Sequence, residues 1–305
     1  VDRDGDGWVR CDRGHRHWGR HGAAGLLLHT VDDEGVVRVL LQHRAAWSHH
    51  GDTWGLPGGA RDSHEDVVST ALREAAEEAG LDRAGIRSRR LFVDDHGGWS
   101  YTTVHADVPR PVGTEANRES AELRWVAVDE VGALPLHPGF ALTWPRVRAR
   151  PAVLLVDAAN VVGSRPDGWW RDRAGAATRL LEAMAAVRAA AVLGPGGEPR
   201  VISAAAAVLE GAAVSAADPG WVVVHRAGRG TSGDDVLVEV AERLMADGND
   251  VIAVSADRGL RDRWGALAGP ALAGSVHRVG PRWLLDALDG TTLPTPGGSS
   301  GSMRP

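Results

Sequence analysis

The sequence predicts an α/β protein of two domains that meet near residue 150. Three observations carry this expectation. At 305 residues with 43% hydrophobic content, the chain can fill two packed cores. The first half holds short apolar strand-like runs around one long helix-forming stretch, Glu65 to Ala79. The second half alternates buried strands with helices, the pattern of a doubly wound α/β domain.

In order, residues 1–20 are polar and rich in Gly, Asp, Arg and His. Cys11, His15 and His17 offer a soft-metal set that needs a fourth ligand, from His21 or elsewhere. A plain polar strand and loop is the preferred reading of this segment. Gly22 to His29 and Val36 to His43 read as strands joined by the turn Asp32-Asp33-Glu34-Gly35. The run Trp54-Gly55-Leu56-Pro57-Gly58-Gly59 reads as a strand end and a tight Gly turn, where a main-chain carbonyl can approach a ligand.

The helix that follows has no Pro or Gly before Gly80, which suits a left-handed stop; Asp62 or Ser63 is expected to cap its start. Val67, Val68, Ala71, Leu72 and Ala75 form its inward face. Glu74, Glu77 and Glu78 share another patch, because residues three and four apart are neighbours on a helix. Two such charges ~5 Å apart repel by roughly 3 kcal/mol at an effective dielectric of ~20. A hard divalent cation offsets that repulsion, and Mg²⁺ favours a few carboxylates with water and substrate phosphate.

The spacing resembles the Nudix box, G-x5-E-x7-R-E-U-x-E-E-x-G-U with U aliphatic. Gly59, Glu65, Arg73, Glu74, Glu77, Glu78 and Gly80 match every fixed position, and Leu81 the last aliphatic. Ala75 is small where a larger aliphatic is usual. The resemblance covers residues 20–147. It implies an α/β/α sandwich with a mixed sheet, and Mg²⁺ or Mn²⁺ held by Gly59, Glu74, Glu77 and Glu78. It further implies Arg73 orienting the acids, and Gln42 and Arg44 facing the substrate. Glu122, just before a strand at Leu123 to Val128, is the candidate for completing the site or acting as general base, with Glu119 second. Further strands are expected at Arg90 to Asp94 and Tyr101 to Val108. Trp144-Pro145 closes the domain, which spans residues 1–147.

Composition narrows the alternatives. The chain has no Lys, which excludes a Walker-A phosphate loop and Schiff-base catalysis. The net charge of −6 carries no global nucleic-acid signature. One cysteine permits no internal disulfide, which fits a cytoplasmic protein; no apolar run spans a membrane, and residues 1–20 lack a signal-peptide core. Abundant Ala, Gly, Arg and Val suggests a bacterial source.

The second domain, residues 151–290, opens on the apolar run Ala152 to Val156 and reaches Asp157 at its carboxyl end, where open α/β sheets place their sites. A helix over Ala174 to Ala191, strands at Arg200 to Ser203 and Trp221 to His225, a helix from Gly233 to about Ala246 and a strand at Val251 to Val254 follow. Asp157 with Asn160, Asp234 with Asp235, and Ser255 with Asp257 follow successive elements. Clustered carboxylates of this kind call for divalent metal that activates water against phosphodiesters. The set resembles NYN domains, a PIN-like nuclease family, and implies a metal-dependent ribonuclease. Arg165, Trp169, Trp170, Arg171 and Arg173, with Arg226 and Arg229, suit single-stranded or structured RNA as a partner. The Gly/Ser/Pro-rich stretch 291–305 is expected to be a disordered tail.

The whole reads as a Mg²⁺-dependent pyrophosphohydrolase acting on a nucleoside diphosphate-linked substrate, by default a nucleoside triphosphate as in MutT-type enzymes. A ribonuclease domain is joined to it. The alternatives are a nucleotide- or RNA-binding regulator without turnover, and an RNA 5′-end processing enzyme.

Overall fold

The computed structural model describes residues 3–228, 230–267 and 273–289. The expected tail and Arg229 lie outside the described residues. A hairpin of β1 (Trp8–Arg10) and β2 (Arg16–Trp18) comes first, followed by β3 (Ala23–Val31), β4 (Val37–Arg44), β5 (Trp54–Gly55) and β6 (Gly58–Ala60). Helix α1 (Val67–Ala79) leads into β7 (Arg87–Asp95), β8 (Ser100–Asp107) and β9 (Ser120–Ala127), and α2 (Pro138–Val147) ends this half. Seven strands form one mixed sheet in the order β5-β4-β3-β8-β7, with β6 on β3 and β9 on β4. Strands β3 and β8 run parallel, and the other pairs antiparallel.

All nine residues of β3 are buried, because the strand is flanked on both edges and covered on both faces. Ala71, Ala75 and Ala79 of α1 cover one face against Leu26, Leu28 and Val104. Small alanines let the helix approach the sheet closely, which brings its acids near β6. Trp144 and Val147 of α2 cover the other face with Leu27 and Val31.

The second half has β10 (Arg150–Asp157), α3 (Ala158–Gly163), α4 (Arg173–Met184), β11 (Ala191–Leu193) and β12 (Pro199–Leu209). Next come β13 (Val222–Arg226), α5 (Gly233–Ala246), β14 (Asp250–Val254), α6 (Arg258–Ala266), β15 (Ser275–Val279) and α7 (Pro281–Leu288). Strands β13, β12, β10, β14 and β15 lie side by side, all parallel; β11 joins β12 antiparallel. Leu180, Leu181 and Leu284 pack on one face, and Leu237, Leu260 and Trp264 on the other, so the sheet is doubly wound.

Two expected elements are corrected. The helix expected to reach Ala191 ends as α-helix at Met184; Ala189 takes φ 63°, and Ala190 accepts from Ile202 N–H, so sheet pairing overrides alanine's helix propensity. The strand expected at Arg200 to Ser203 runs on to Leu209, because the alanines between β10 and β13 are buried between parallel neighbours.

The two sheets share apolar contacts. Ala149, Ala189, Ala191 and Val201 belong to the same buried cluster as Leu27 and Val31. Arg87 and Arg89, both paired with the buried Asp107, each donate to the Ala186 carbonyl at 2.8 Å.

Candidate active site

Helix α1 begins two residues later than expected, and its cap is Asp66, whose carboxylate accepts from Val68 and Ser69 N–H. Asp62 is unavailable for capping because it is buried and accepts from Gly5 N–H at 2.7 Å. Gly80 ends the helix in the left-handed conformation, as expected.

Glu65 precedes the helix and clamps Arg73. Its two oxygens accept from Arg73 Nε at 2.8 Å and Nη2 at 2.9 Å, a bidentate pair that holds the Glu65 carboxyl down to about 2. The same guanidinium donates to Glu74 at 2.7 Å and to the Ala60 carbonyl at 3.0 Å, so it fixes the helix against β6. Arg73 thus hydrogen-bonds Glu65, Glu74 and the β6 backbone at once.

Glu78 is only 6% exposed, and one carboxylate oxygen accepts from Gly58 N–H at 2.8 Å. Burial pushes its carboxyl up to about 7, reinforced by the charge of Glu74 and opposed by the Gly58 N–H, Gln42 and Arg44. Burial raises Glu74 as well, with Arg73 opposing. Glu77 is more open and pairs with Arg3 from the N-terminal segment. A side chain on Gly59 would meet the Glu74 carboxylate at 2.6 Å, so this glycine's backbone lies directly beside the acid. Gly58 is pressed equally hard: a Cβ there would lie 2.5 Å from both Gly25 Cα and the Ala24 carbonyl.

These groups are hard oxygen donors that carry a like-charge burden, and they fit a divalent cation. The carboxylates of Glu74, Glu77 and Glu78 do not all lie within 4.8 Å of one another, whereas a carboxylate oxygen each from Asp62 and Glu65 and a ring nitrogen of His64 do.

Two expected placements change. Gln42 is fully buried, between Gly55 and Leu123 in register, and donates to Ser120 Oγ at 2.8 Å; it forms the floor rather than an open substrate contact. Glu122 lies inside β9, not before it, opposite His43, and is locked with Arg124 by two 2.8 Å bonds on the exposed side. That pairing holds its carboxyl below the usual range, which leaves it a weak base. Glu119 precedes β9, tied by its backbone to Asn117 and Ala45. Arg44 is half-buried, donates to the His49 carbonyl at 3.2 Å, and its charge reaches Glu78. His49, His50 and His137 cluster beside it, a grouping that sequence spacing does not reveal.

The NUDIX domain family model matches residues 19–145. The putative 8-oxo-dGTP diphosphatase 3 of Mycobacterium tuberculosis H37Rv is 57% identical over 160 residues, which cover 50% of this chain and 74% of that protein. The chain belongs to the Nudix hydrolase family. It is also 44% identical over 155 residues to a nucleoside triphosphate pyrophosphatase/Nudix hydrolase fusion protein of Bifidobacterium longum, covering 49% of this chain and 32% of that protein. Among solved structures, the Nudix hydrolase RenU of M. smegmatis is 55% identical, covering 47% of this chain and 92% of that one, with a TM-score of 0.45. The Nudix match ends at residue 145, so the acids of the second half lie outside it.

Asp157, Asp234 and Asp257 line a cavity of about 290 Å³ at the carboxyl ends of β10 and β12. Asp157 accepts from Asn160 N–H at 3.0 Å and from Ser255 Oγ at 2.8 Å. Asn160 in turn accepts from Ala256 N–H, which ties the β10 end to the β14 end. Asp257 caps α6 through Leu260 N–H and faces the same cavity. Burial raises Asp157, and burial with the charge of Asp257 raises Asp234.

Asp235 does not join them. It points away, exposed, and pairs with Arg263 at 2.7 Å, because adjacent helix residues project about 100° apart. Glu210, at the end of β12, takes its place in the cavity and accepts from Gly233 N–H at 3.1 Å. The signal for it was present: an acid at the carboxyl end of an apolar run, as for Asp157. Arg226 is committed to the Val214 and Ala216 carbonyls and does not face the acids. Trp170 is 55% exposed, and Arg173 lies over the Trp169 ring at 5.5 Å. No described helix is long and apolar enough to cross a membrane.

Proposed function

We propose that the Nudix half hydrolyses a nucleoside diphosphate-linked substrate, by default a nucleoside triphosphate, with Mg²⁺ or Mn²⁺. The observation that carries the reading is Glu78, buried against Gly58 beside Glu74, with its carboxyl raised to about 7. The diphosphatase naming of the Mycobacterium tuberculosis relative supports the choice of substrate class. Glu74, Glu77, Glu78 and the Gly59 carbonyl would hold the ion, which neutralises diphosphate charge and acidifies water when bound. Arg73 keeps Glu74 in place through Glu65 and Ala60, and Arg44 offers its guanidinium to a phosphate oxygen. One of the box acids takes the proton from the attacking water; Glu122 is set aside by its pairing with Arg124.

Glu78→Gln should lower turnover at least ~100-fold across nucleoside triphosphates, 8-oxo-dGTP and dinucleoside polyphosphates. Wild-type turnover by that variant would end this reading. Tight nucleotide binding without product by the unaltered chain would favour a regulator instead.

The second half is assigned, on the same footing, as an NYN/PIN-like domain over residues 151–290 that cuts RNA with a divalent metal. Asp157, Glu210, Asp234 and Asp257 around one cavity support it. Because Ala149, Ala189 and Val201 share a cluster with Leu27, the assay is best run on the full chain. Asp157→Asn should abolish RNA cleavage and leave nucleotide hydrolysis intact; equal cleavage by both proteins would refute the assignment.

A further inference from the structure

The N-terminal hairpin carries a second cluster of a different chemistry. Cys11, His15 and His17 stand at the hairpin end, and His96 reaches them from the β7–β8 turn, 79 residues after His17. One ligand atom from each lies within 4.8 Å of all the others. Tetrahedral zinc with bonds of about 2.0–2.3 Å spaces its ligands roughly 3.3–3.7 Å apart, so small side-chain rotations close the set. His21, the other fourth ligand considered from sequence, pairs instead with Asp4 at 3.6 Å.

The surroundings prepare these atoms for metal. His96 Nε2 bonds to Asp94 Oδ2 at 3.1 Å, which places the proton on Nε2 and leaves Nδ1 a free lone pair. That Nδ1 is buried without a partner, and so is His17 Nε2. A carboxylate behind a ligand histidine is the usual outer support of a metal-bound imidazole. The His17 ring is held flat against Trp99, with centroids 3.9 Å apart at 8°. Cys11 is 4% exposed and is the only thiol in the chain.

The two segments are also docked through backbone carbonyls. Asp12 N–H donates to the Gly97 carbonyl at 2.9 Å, Arg13 to the Asp95 carbonyl, and Trp99 Nε1 to the Gly19 carbonyl at 3.0 Å. Gly97 and Gly98 both take positive φ, and a Cβ on Gly97 would strike Asp12 at 2.6 Å. Only glycine lets the loop bring His96 this close.

We propose that Cys11, His15, His17 and His96 bind one zinc ion as a closed Cys-His₃ structural site, separate from the box. Thiolate and imidazole are ligands that suit zinc, whereas the box offers oxygen suited to Mg²⁺. Four protein ligands leave no open position, so the ion is structural rather than catalytic. It would staple the hairpin to the sheet and so anchor the segment whose Arg3 reaches Glu77.

The test is Co²⁺ added to chelator-treated full chain under reducing, oxygen-free conditions. Wild type should develop a thiolate-to-cobalt charge-transfer band and intense tetrahedral visible bands at about one equivalent, both removed by zinc. Box binding through oxygens gives neither signal. Cys11→Ser should lose the charge-transfer band, His96→Ala should weaken the visible bands severalfold, and His21→Ala should match wild type. Absence of the charge-transfer band from folded wild type would overturn the proposal, and that result needs no variant to fold. Band loss in His21→Ala equal to that in His96→Ala would overturn the ligand set.

Discussion

Glu78→Gln is expected to make the metal-free protein more stable while removing its turnover. The Glu78 carboxyl is raised from 4.5 to about 7 by burial, with Glu74 adding to it. That difference corresponds to roughly 3 kcal/mol between the charged and neutral forms. Between these two values the folded chain holds a proton that the unfolded chain has lost. Stability therefore falls as pH rises through this window, and the deficit is complete above pH ~7. Gln cannot ionise, yet its amide oxygen can still accept from Gly58 N–H, which donates to Glu78 at 2.8 Å. In EDTA, variant and wild type should be about equally stable near pH 4. At pH 8 the variant should be more stable by roughly 2–4 kcal/mol. Urea unfolding followed by the fluorescence of the 12 tryptophans reads this directly. Adding Mg²⁺ or Mn²⁺ should stabilise wild type and narrow the gap, because the ion binds only the folded, charged site. A variant no more stable than wild type at pH 8 in EDTA, or a gap that ignores pH, would refute the reasoning.

Two further outcomes follow from the same geometry. Gly58→Ala places a methyl 2.5 Å from backbone atoms of Ala24 and Gly25, so β6 must move off β3. A loss of about 1–3 kcal/mol is expected, with a larger fractional loss of activity as Glu78 loses its N–H partner; unchanged melting would contradict the packing. Glu65→Gln removes the bidentate partner of Arg73. Glu65 is held at about 2, so its contribution is full above its unfolded value near 4.5 and is lost as pH falls toward 2. The variant should be roughly 1–3 kcal/mol weaker at pH 7, allowing for solvent screening, and the difference should vanish near pH 2. Unfolding curves at the two pH values check it, and a gap that persists in acid counts against the pairing.

Much of this protein was legible along the chain. The box spacing, the amphipathic face of α1 and its Gly80 stop depend on neighbours three and four residues apart, and helix geometry turns such spacing into contact. Asp157 and Asp257 were legible because an acid that ends an apolar strand lands at the open edge of a parallel sheet. What only the tertiary structure decided depends on groups far apart in sequence. Asp62 loses the cap to Asp66 because Gly5 claims its carboxylate. Asp235 yields to Glu210 because helix phase turns one acid out and a strand end brings the other in. Gln42 and Glu122 exchange exposure because sheet register, not local pattern, sets which side each one meets. His96 reaches Cys11 only once β7 and β8 fold their turn against the hairpin. Local periodicity specifies which residues share a face, while long-range pairing selects which faces meet.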